Sequence, residues 1–585
     1  MRILAIFLLW ISFQGVIIQS VPYDHTASIE LVDLRKRCMS DPMKPLYSGG
    51  IVQNSEFNSD LAGWSVPWGA SVAVATSPSG NKFASTLNKG GARPSRSVSQ
   101  KIQMQASTHY AFAAWLQVSS GVVDVKATVR APGGAFVAAG AIVARAGCWT
   151  MFKGGMTAGA DSSGPAELFF EADAAVGISV DSVSLQPFSF AEWGAHRRLA
   201  AGSARRSAVR VVARGAGGAP LANATVRPAL LRAAFPFGNA MTREILDIPA
   251  YERWFTSRFA VATFENEMKW YSTERSPGKE DYAVPDAMLA LAARHGILVR
   301  GHNVVWDEEG TQMPWVRQLN ATQLQAAVQR RLASVVARYA GKVIAWDVVN
   351  ENLHWGFFES RLGADASPRI YQQVARLDGG EATLLFMNEY NTLEQPADMS
   401  VLPTKYAAKM EEIRSYPGNA PLRLAVGLES HFTTPNLPYM RASMDTLARL
   451  GMPLWLTEVD VAKGPLQAQH LEEVLREGYG HPAVQGIVMW AAWHARGCYV
   501  MCLTDNEFRN LPVGDVVDKL IAEWKTHPAA AVTDGDGVVQ LDLVHGEYNL
   551  TVTHPSLGAP AVHAVTVDSS SSAPEKVVDI KVSNI

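Results

Sequence analysis

Cysteine is scarce in this chain, four in 585 residues, which excludes a small scaffold built on disulfides. Charge is sparse as well. Asp, Glu, Lys and Arg make up 18% of the residues and the formal net charge is −3, so no basic excess draws the chain to nucleic acid or to an anionic membrane. No Cys/His set has metal-ligand spacing, so no metal site is expected. After residue 13 no apolar run approaches the roughly 20 residues that cross a bilayer. Apolar residues themselves are ample at 48%, in a chain long for one domain, so several separate cores are expected.

The first residues, Met1-Arg2 followed by apolar residues 3–13, read as a signal peptide cleaved near Ser20, with a signal anchor as the competing reading. Export would place the protein outside the cell or in a cell wall, with no membrane association once the signal is removed. It would also permit glycans at Asn223-Ala224-Thr225, Asn320-Ala321-Thr322 and Asn549-Leu550-Thr551. Cys498 and Cys502 are spaced to close a local disulfide in that compartment. Cys38 and Cys148 are left open between free and paired.

Composition divides the rest. Residues 49–188 carry short alternating strands separated by Gly, Pro and Ser clusters, the pattern of an all-β sandwich. Residues 189–232 read as linker and leading strands, with the Ala-, Gly- and Arg-rich stretch 195–214 exposed to solvent. From 233 to 526 a short β-branched or aromatic run, a polar residue and a helical stretch recur. The runs end near Asn239, Asn266, His302, Glu351, Asn388, His431, Asp460 and Trp490. Eight such units predict a (β/α)8 barrel. Residues 527–585 alternate again and read as a small β appendage without chemistry of its own.

Each predicted strand end carries a group able to bind or transform a sugar, and two glutamates stand at or close to such ends. Glu351 closes Trp346-Asp347-Val348-Val349-Asn350-Glu351, and Glu458 lies in Trp455-Leu456-Thr457-Glu458-Val459-Asp460. Two carboxylates at the open end of such a barrel suggest cleavage of a glycosidic bond. That chemistry needs a proton for the leaving oxygen and an anion for the oxocarbenium-like carbon.

These stretches, with Phe235-Pro236-Phe237-Gly238-Asn239-Ala240, Glu265-Asn266-Glu267-Met268-Lys269-Trp270, Arg300-Gly301-His302-Asn303-Val304-Val305-Trp306 and Asn388-Glu389-Tyr390-Asn391, resemble glycoside hydrolase family 10, the retaining endo-β-1,4-xylanases. The resemblance implies Glu351 as general acid/base, Glu458 as nucleophile, xylan as substrate and no cofactor. It implies that Asn350 bonds the sugar 2-hydroxyl, that Glu265, Asn266, Lys269 and His302 grip the ring beside the cleavage point, and that Trp306 and Trp490 wall the cleft. Tyr390 is assigned to a leaving-group subsite, with Trp493 a weaker candidate, and His431 to contact with Glu458, its tautomer fixed by Asp460. His354 and His494 are read as satisfied polar groups.

Glu429 departs from the glutamine many members carry. A third carboxylate near the nucleophile would repel it unless one is protonated, so Glu429 is expected to hold a proton and donate to Glu458. The segment before the barrel resembles a family 22 carbohydrate-binding module, a jelly-roll sandwich, on Asn54-Ser55-Glu56-Phe57, Gly63-Trp64 and Val180-Asp181-Ser182-Val183-Ser184-Leu185. That resemblance implies Phe169 and Glu171 as ligand-binding residues, although residues 88–97 hold no aromatic side chain where a stacking tryptophan is expected. Two alternatives to hydrolysis stand beside it: a xylan endotransglycosylase using the same covalent intermediate, and a non-catalytic protein that binds wall polysaccharide.

Overall fold

Eight strands buried along almost their whole length set the architecture of this computed structural model, which describes residues 21–27, 39–66, 71–87, 95–215, 217–380, 382–568 and 575–582. The strands are Phe237–Met241, Val261–Phe264, Leu298–Gly301, Ala345–Asp347, Leu384–Glu389, Leu424–Leu428, Leu454–Val461 and Val484–Met489. All neighbours run parallel, and the eighth pairs with the first, closing a (β/α)8 barrel. Inside, Gly301 admits a large neighbour: a Cβ there would lie 2.3 Å from the ring of Trp346. The predicted signal segment, residues 1–20, lies outside the described residues. Among the described residues no helix is long and apolar enough to cross a membrane.

The helices outside the barrel follow from amphipathic spacing. Ala321–Tyr339 starts at a reciprocal cap between Asn320 and Gln323 and buries Leu324, Val328, Leu332, Val335 and Val336 on one face. Arg331 on that face is fully buried, and its guanidinium donates to the carbonyls of Met268, Asn303 and Val304 at 2.6, 3.0 and 2.9 Å. A buried cation satisfied by three carbonyls fixes the loops that carry Lys269 and His302.

Residues 71–189 form two antiparallel sheets of five and four strands around their own core, as the alternation predicts. The exposed linker does not exist as such. Phe190–Arg205 is a helix begun by a capping box between Ser189 and Glu192, and Arg206–Arg214 is a strand. The helix buries Trp193, Gly194, His196 and Arg205 against Gln467–Gly480 of the barrel. Its arginines are partly structural rather than solvated.

The appendage is likewise half of something larger. Arg206–Arg214 pairs with Val538–Val544 and Lys576–Lys581, while Thr225–Ala233 pairs with Gly546–Thr553 and Ala531–Val532. Strands from before and after the barrel thus share one sandwich core. The N-terminal sandwich in turn docks on barrel helix Leu437–Ala448, where Lys153 meets Asp445 at 2.7 Å with both side chains buried. Tyr23 donates to the same carboxylate at 2.9 Å. Cys498 and Cys502 form the expected disulfide, and Cys148 is disulfide-bonded. Cys38 lies outside the described residues.

Candidate active site

The C-terminal ends of the strands converge on one hydrogen-bonded cluster. At the fourth strand the backbone continues through a short parallel pairing of Val305–Trp306 with Val349–Asn350, which holds Trp306, Asn350 and Glu351 side by side. Trp306 Nε1 donates to Glu351 Oε2 at 2.8 Å and Trp355 Nε1 to the same oxygen at 3.2 Å. Burial pushes the Glu351 carboxyl up to about 7, the charges of Glu389 and Glu458 adding to it and the Trp306 bond opposing it.

Glu458, on the seventh strand, has the reverse balance. Its burial also disfavours charge, yet the adjacent His431 imidazole and the positive fields of His302 and Arg300 outweigh it and hold the carboxyl down to about 2. Asn388 Nδ2 donates to Glu458 Oε1 at 2.9 Å, to Glu429 Oε1 at 3.0 Å and to Asn350 Oδ1 at 3.1 Å, and its own Oδ1 accepts from Thr457 Oγ1 at 2.5 Å. One amide therefore joins strands four, five, six and seven.

His431 Nε2 stands 3.4 Å from Glu429 Oε2 and 3.6 Å from Glu458 Oε2, and its Nδ1 lies 3.1 Å from Asp460 Oδ2. The last is an ion pair whose alignment falls short of a hydrogen bond. Burial works against the imidazolium, but Asp460, Glu429 and Glu458 together raise His431 well above its usual range. Glu429 is raised well above the carboxylate range, first by burial and then by the charges of Glu458 and Glu351. Of the two carboxyls beside His431 Nε2, Glu429 is the one whose surroundings favour the neutral form. Both carboxyls accept from Asn388 and approach His431, and the three side chains bring their polar atoms within 4.8 Å of one another.

The remaining expected side chains line the same region. His302 Nδ1 meets Asp347 Oδ2 at 2.6 Å, and Asp347 is in turn bonded by Arg300. The Lys269 ammonium sits 4.6 Å over the Trp306 ring and 5.7 Å from that of Trp490, and reaches Asn266 Oδ1 at 3.5 Å. Burial lowers the Lys269 pKa against the pull of Glu458, Glu265 and Glu351. Glu265 accepts from His494 at 2.6 Å. Tyr390 stacks on His354 at 3.8 Å, and His354 bridges Glu389 and Asp398 at 2.6 and 3.0 Å. His354 and His494 are satisfied, as expected, whereas Trp493 is 4% exposed and packs on Tyr251 and Phe508 in the core.

Two contributors escaped the sequence reading. Asn388 was legible as a strand end, yet its three acceptors come from distant strands. Trp355, 41% exposed at the rim, follows Glu351 by four residues, the one local signal that could have found it. In the N-terminal sandwich Phe169 and Glu171 share a strand face, but Phe169 is 5% exposed beneath the Arg96 guanidinium at 5.2 Å. Glu171 pairs with Lys126 at 3.4 Å and accepts from Thr128 at 3.0 Å. Phe169 thus presents no open face on which a sugar could stack.

A closed (β/α)8 barrel with two carboxyls whose surroundings push their pKa values in opposite directions at its C-terminal end is the arrangement of a glycoside hydrolase. Residues 228–496 match the family model described as glycosyl hydrolase family 10, and the chain belongs to that family. Endo-1,4-beta-xylanase 5 of Arabidopsis thaliana is 41% identical over 469 residues, 79% of this chain and 82% of that protein. Endo-1,4-beta-xylanase 5-like of the same plant is 38% identical over 565 residues, 94% of this chain and 93% of that protein.

Proposed function

We propose that the chain is an exported retaining endo-β-1,4-xylanase that cleaves cell-wall xylan by double displacement. The observation that carries this reading is the split between Glu351, raised to about 7, and Glu458, held down to about 2. Membership of family 10 and the endo-1,4-β-xylanase relatives supply the substrate class.

Glu351 keeps its proton near neutral pH and gives it to the leaving oxygen. Glu458, ionised, attacks the anomeric carbon and forms a glycosyl ester, and Glu351, now a base, draws a proton from the water that releases the sugar. Asn350 meets the sugar 2-hydroxyl, while His302, Lys269, Asn266 and Glu265 hold the ring at the cleavage point. Trp306 and Trp490 offer flat apolar walls to pyranose faces, and Tyr390 lies on the leaving-group side. Asp460 orients His431, whose charge sustains the Glu458 anion. The N-terminal sandwich is read as a family 22 carbohydrate-binding module.

Reducing-end release and product size from the purified mature protein on glucuronoarabinoxylan, beside cellulose and mannan, test the reading. Fragmentation of xylan alone, abolished by Glu458→Gln, is the expected result. No cleavage of xylan would sink it, and products longer than added xylo-oligosaccharides would replace hydrolysis by transfer. Glu429→Gln, an amide that mimics the protonated acid, is expected to keep activity within a few-fold at acid pH. It should reduce the alkaline fall to the ionisation of Glu351 alone, because no charge can then form at position 429 beside Glu458 and Glu351. An unchanged pH profile would remove Glu429 from the coupled set.

A further inference from the structure

At the N-terminal end of the barrel, opposite the catalytic cluster, a cavity of about 790 Å³ opens between the barrel floor, the helix Phe190–Arg205 and the C-terminal sandwich. Its walls include Phe237, Ala260, Ile297 and Gln485, which stand at or just before the beginnings of the first, second, third and eighth strands. Ligand sites commonly occupy cavities of this size at domain junctions.

The charge of the wall is one-sided. No aspartate or glutamate is among the residues that line it, while Arg205, Arg232, Arg258 and Lys525 are. Arg232 and Arg258 already have carboxylate partners outside the cavity, Glu547 and Asp518. Arg205 does not. It is 9% exposed, and its Nε and Nη2 donate to the carbonyls of Tyr479, His481 and Val484 at 3.0, 2.8 and 2.6 Å. Its Nη1 makes no hydrogen bond among the described residues, and neither does the Lys525 ammonium. A guanidinium so buried without a counter-charge is costly, and burial lowers its pKa to about 10. An anion entering the cavity would supply what the fold withholds.

The rest of the wall selects among anions. Arg205 lies over the rings of Phe235 and Tyr479 at 4.5 and 5.4 Å, and Tyr479 stacks on Trp524 at 4.1 Å. Hydroxyl and amide groups of Ser203, Thr256, Ser257 and Gln485 complete it. Hydroxyl- and amide-bearing residues beside a fixed cation suit a polyhydroxylated carboxylate such as a uronate rather than a compact inorganic ion.

We propose that this cavity is a second saccharide site that binds uronate-bearing oligosaccharides through Arg205 and Lys525. The inference rests on the reading of xylan as substrate, since acidic side groups on that polymer would be the ligand. A site at the closed end of the barrel would keep a branched chain near the enzyme without occupying the cleft.

Calorimetric titration of the mature protein with D-glucuronate, D-glucose and sulfate tests the site without any turnover. Saturable binding of glucuronate, at least tenfold tighter than glucose or sulfate, is expected. Lys525→Glu should weaken it about tenfold or more, and Ser203→Trp, which fills the cavity from its exposed edge, should do the same. Both variants should cleave neutral xylohexaose at the unaltered rate. Absence of glucuronate binding, equal affinity for sulfate, or binding indifferent to both substitutions would each overturn the proposal. Failure of xylan cleavage with glucuronate binding intact would overturn the catalytic reading alone.

Discussion

Glu351 and Glu458 are both buried, and burial by itself raises any carboxyl. What separates them is the company each keeps. Glu458 faces His431, His302 and Arg300, whereas Glu351 faces Glu389, Glu458 and the neutral donors of Trp306, Trp355 and Asn350. The proposed double displacement needs the first ionised and the second protonated, so kcat/KM is expected to rise as pH climbs through about 2 and to fall as it passes about 7. The two limbs belong to a coupled set that includes Glu429. A profile still rising above pH 8 would contradict the assignment of Glu351 as the acid. Trp355 adds a donor to the Glu351 anion, and removing a donor from the charged form raises a pKa. In Trp355→Phe the alkaline limb should therefore move upward by up to about one unit, the worth of one hydrogen bond to a charged group. An unmoved limb would reduce Trp355 to a rim side chain. The glutamates were legible in the sequence because rare residue types close apolar runs. The roles of Asn388 and Trp355 were not, because an amide or an indole acquires meaning only from which oxygens it reaches.

The eight barrel strands could be read from their own composition, each a short apolar run ending in a polar group. The helix Phe190–Arg205 could not. Its buried positions are a tryptophan, a glycine, a histidine and an arginine, which resemble a solvated stretch until their partners are known. Those partners lie far along the chain: Trp193 Nε1 donates to Glu477 at 3.0 Å across 284 residues. The Trp193 ring carries the Arg441 guanidinium at 3.8 Å and meets Phe188 at 5.7 Å. Arg441 also binds Glu477, so the indole closes a buried ion pair. Trp193→Ala is accordingly expected to destabilise the protein by about 3–5 kcal/mol, the cost of an aromatic cavity in a core. Urea denaturation would measure it, with the rate on xylohexaose unchanged where the variant is still folded. A loss below 1 kcal/mol would restore the linker reading.

The chain enters and leaves the barrel through the same sandwich, which makes the C-terminal residues a structural necessity rather than an appendage. Arg206–Arg214 and Thr225–Ala233 bury Val209, Val211, Ala213 and Val226 only because Leu541, Leu543, Leu550, Val552 and Ile580 cover them. Sequence alternation identified both halves, but a pairing between strands some 330 residues apart leaves no local mark, and each half alone looks like a minor β element. Truncation after Lys525 would leave two strands with open edges and a bare apolar face, the combination that drives strand-to-strand aggregation. It would also remove His545 and Val544 from beside Arg205, opening the barrel floor to water. The truncated chain is expected to be recovered mainly in the insoluble fraction or as large oligomers on size-exclusion chromatography, although every catalytic residue is retained. A soluble, monomeric and fully active truncation would show that the barrel needs no help from this sandwich.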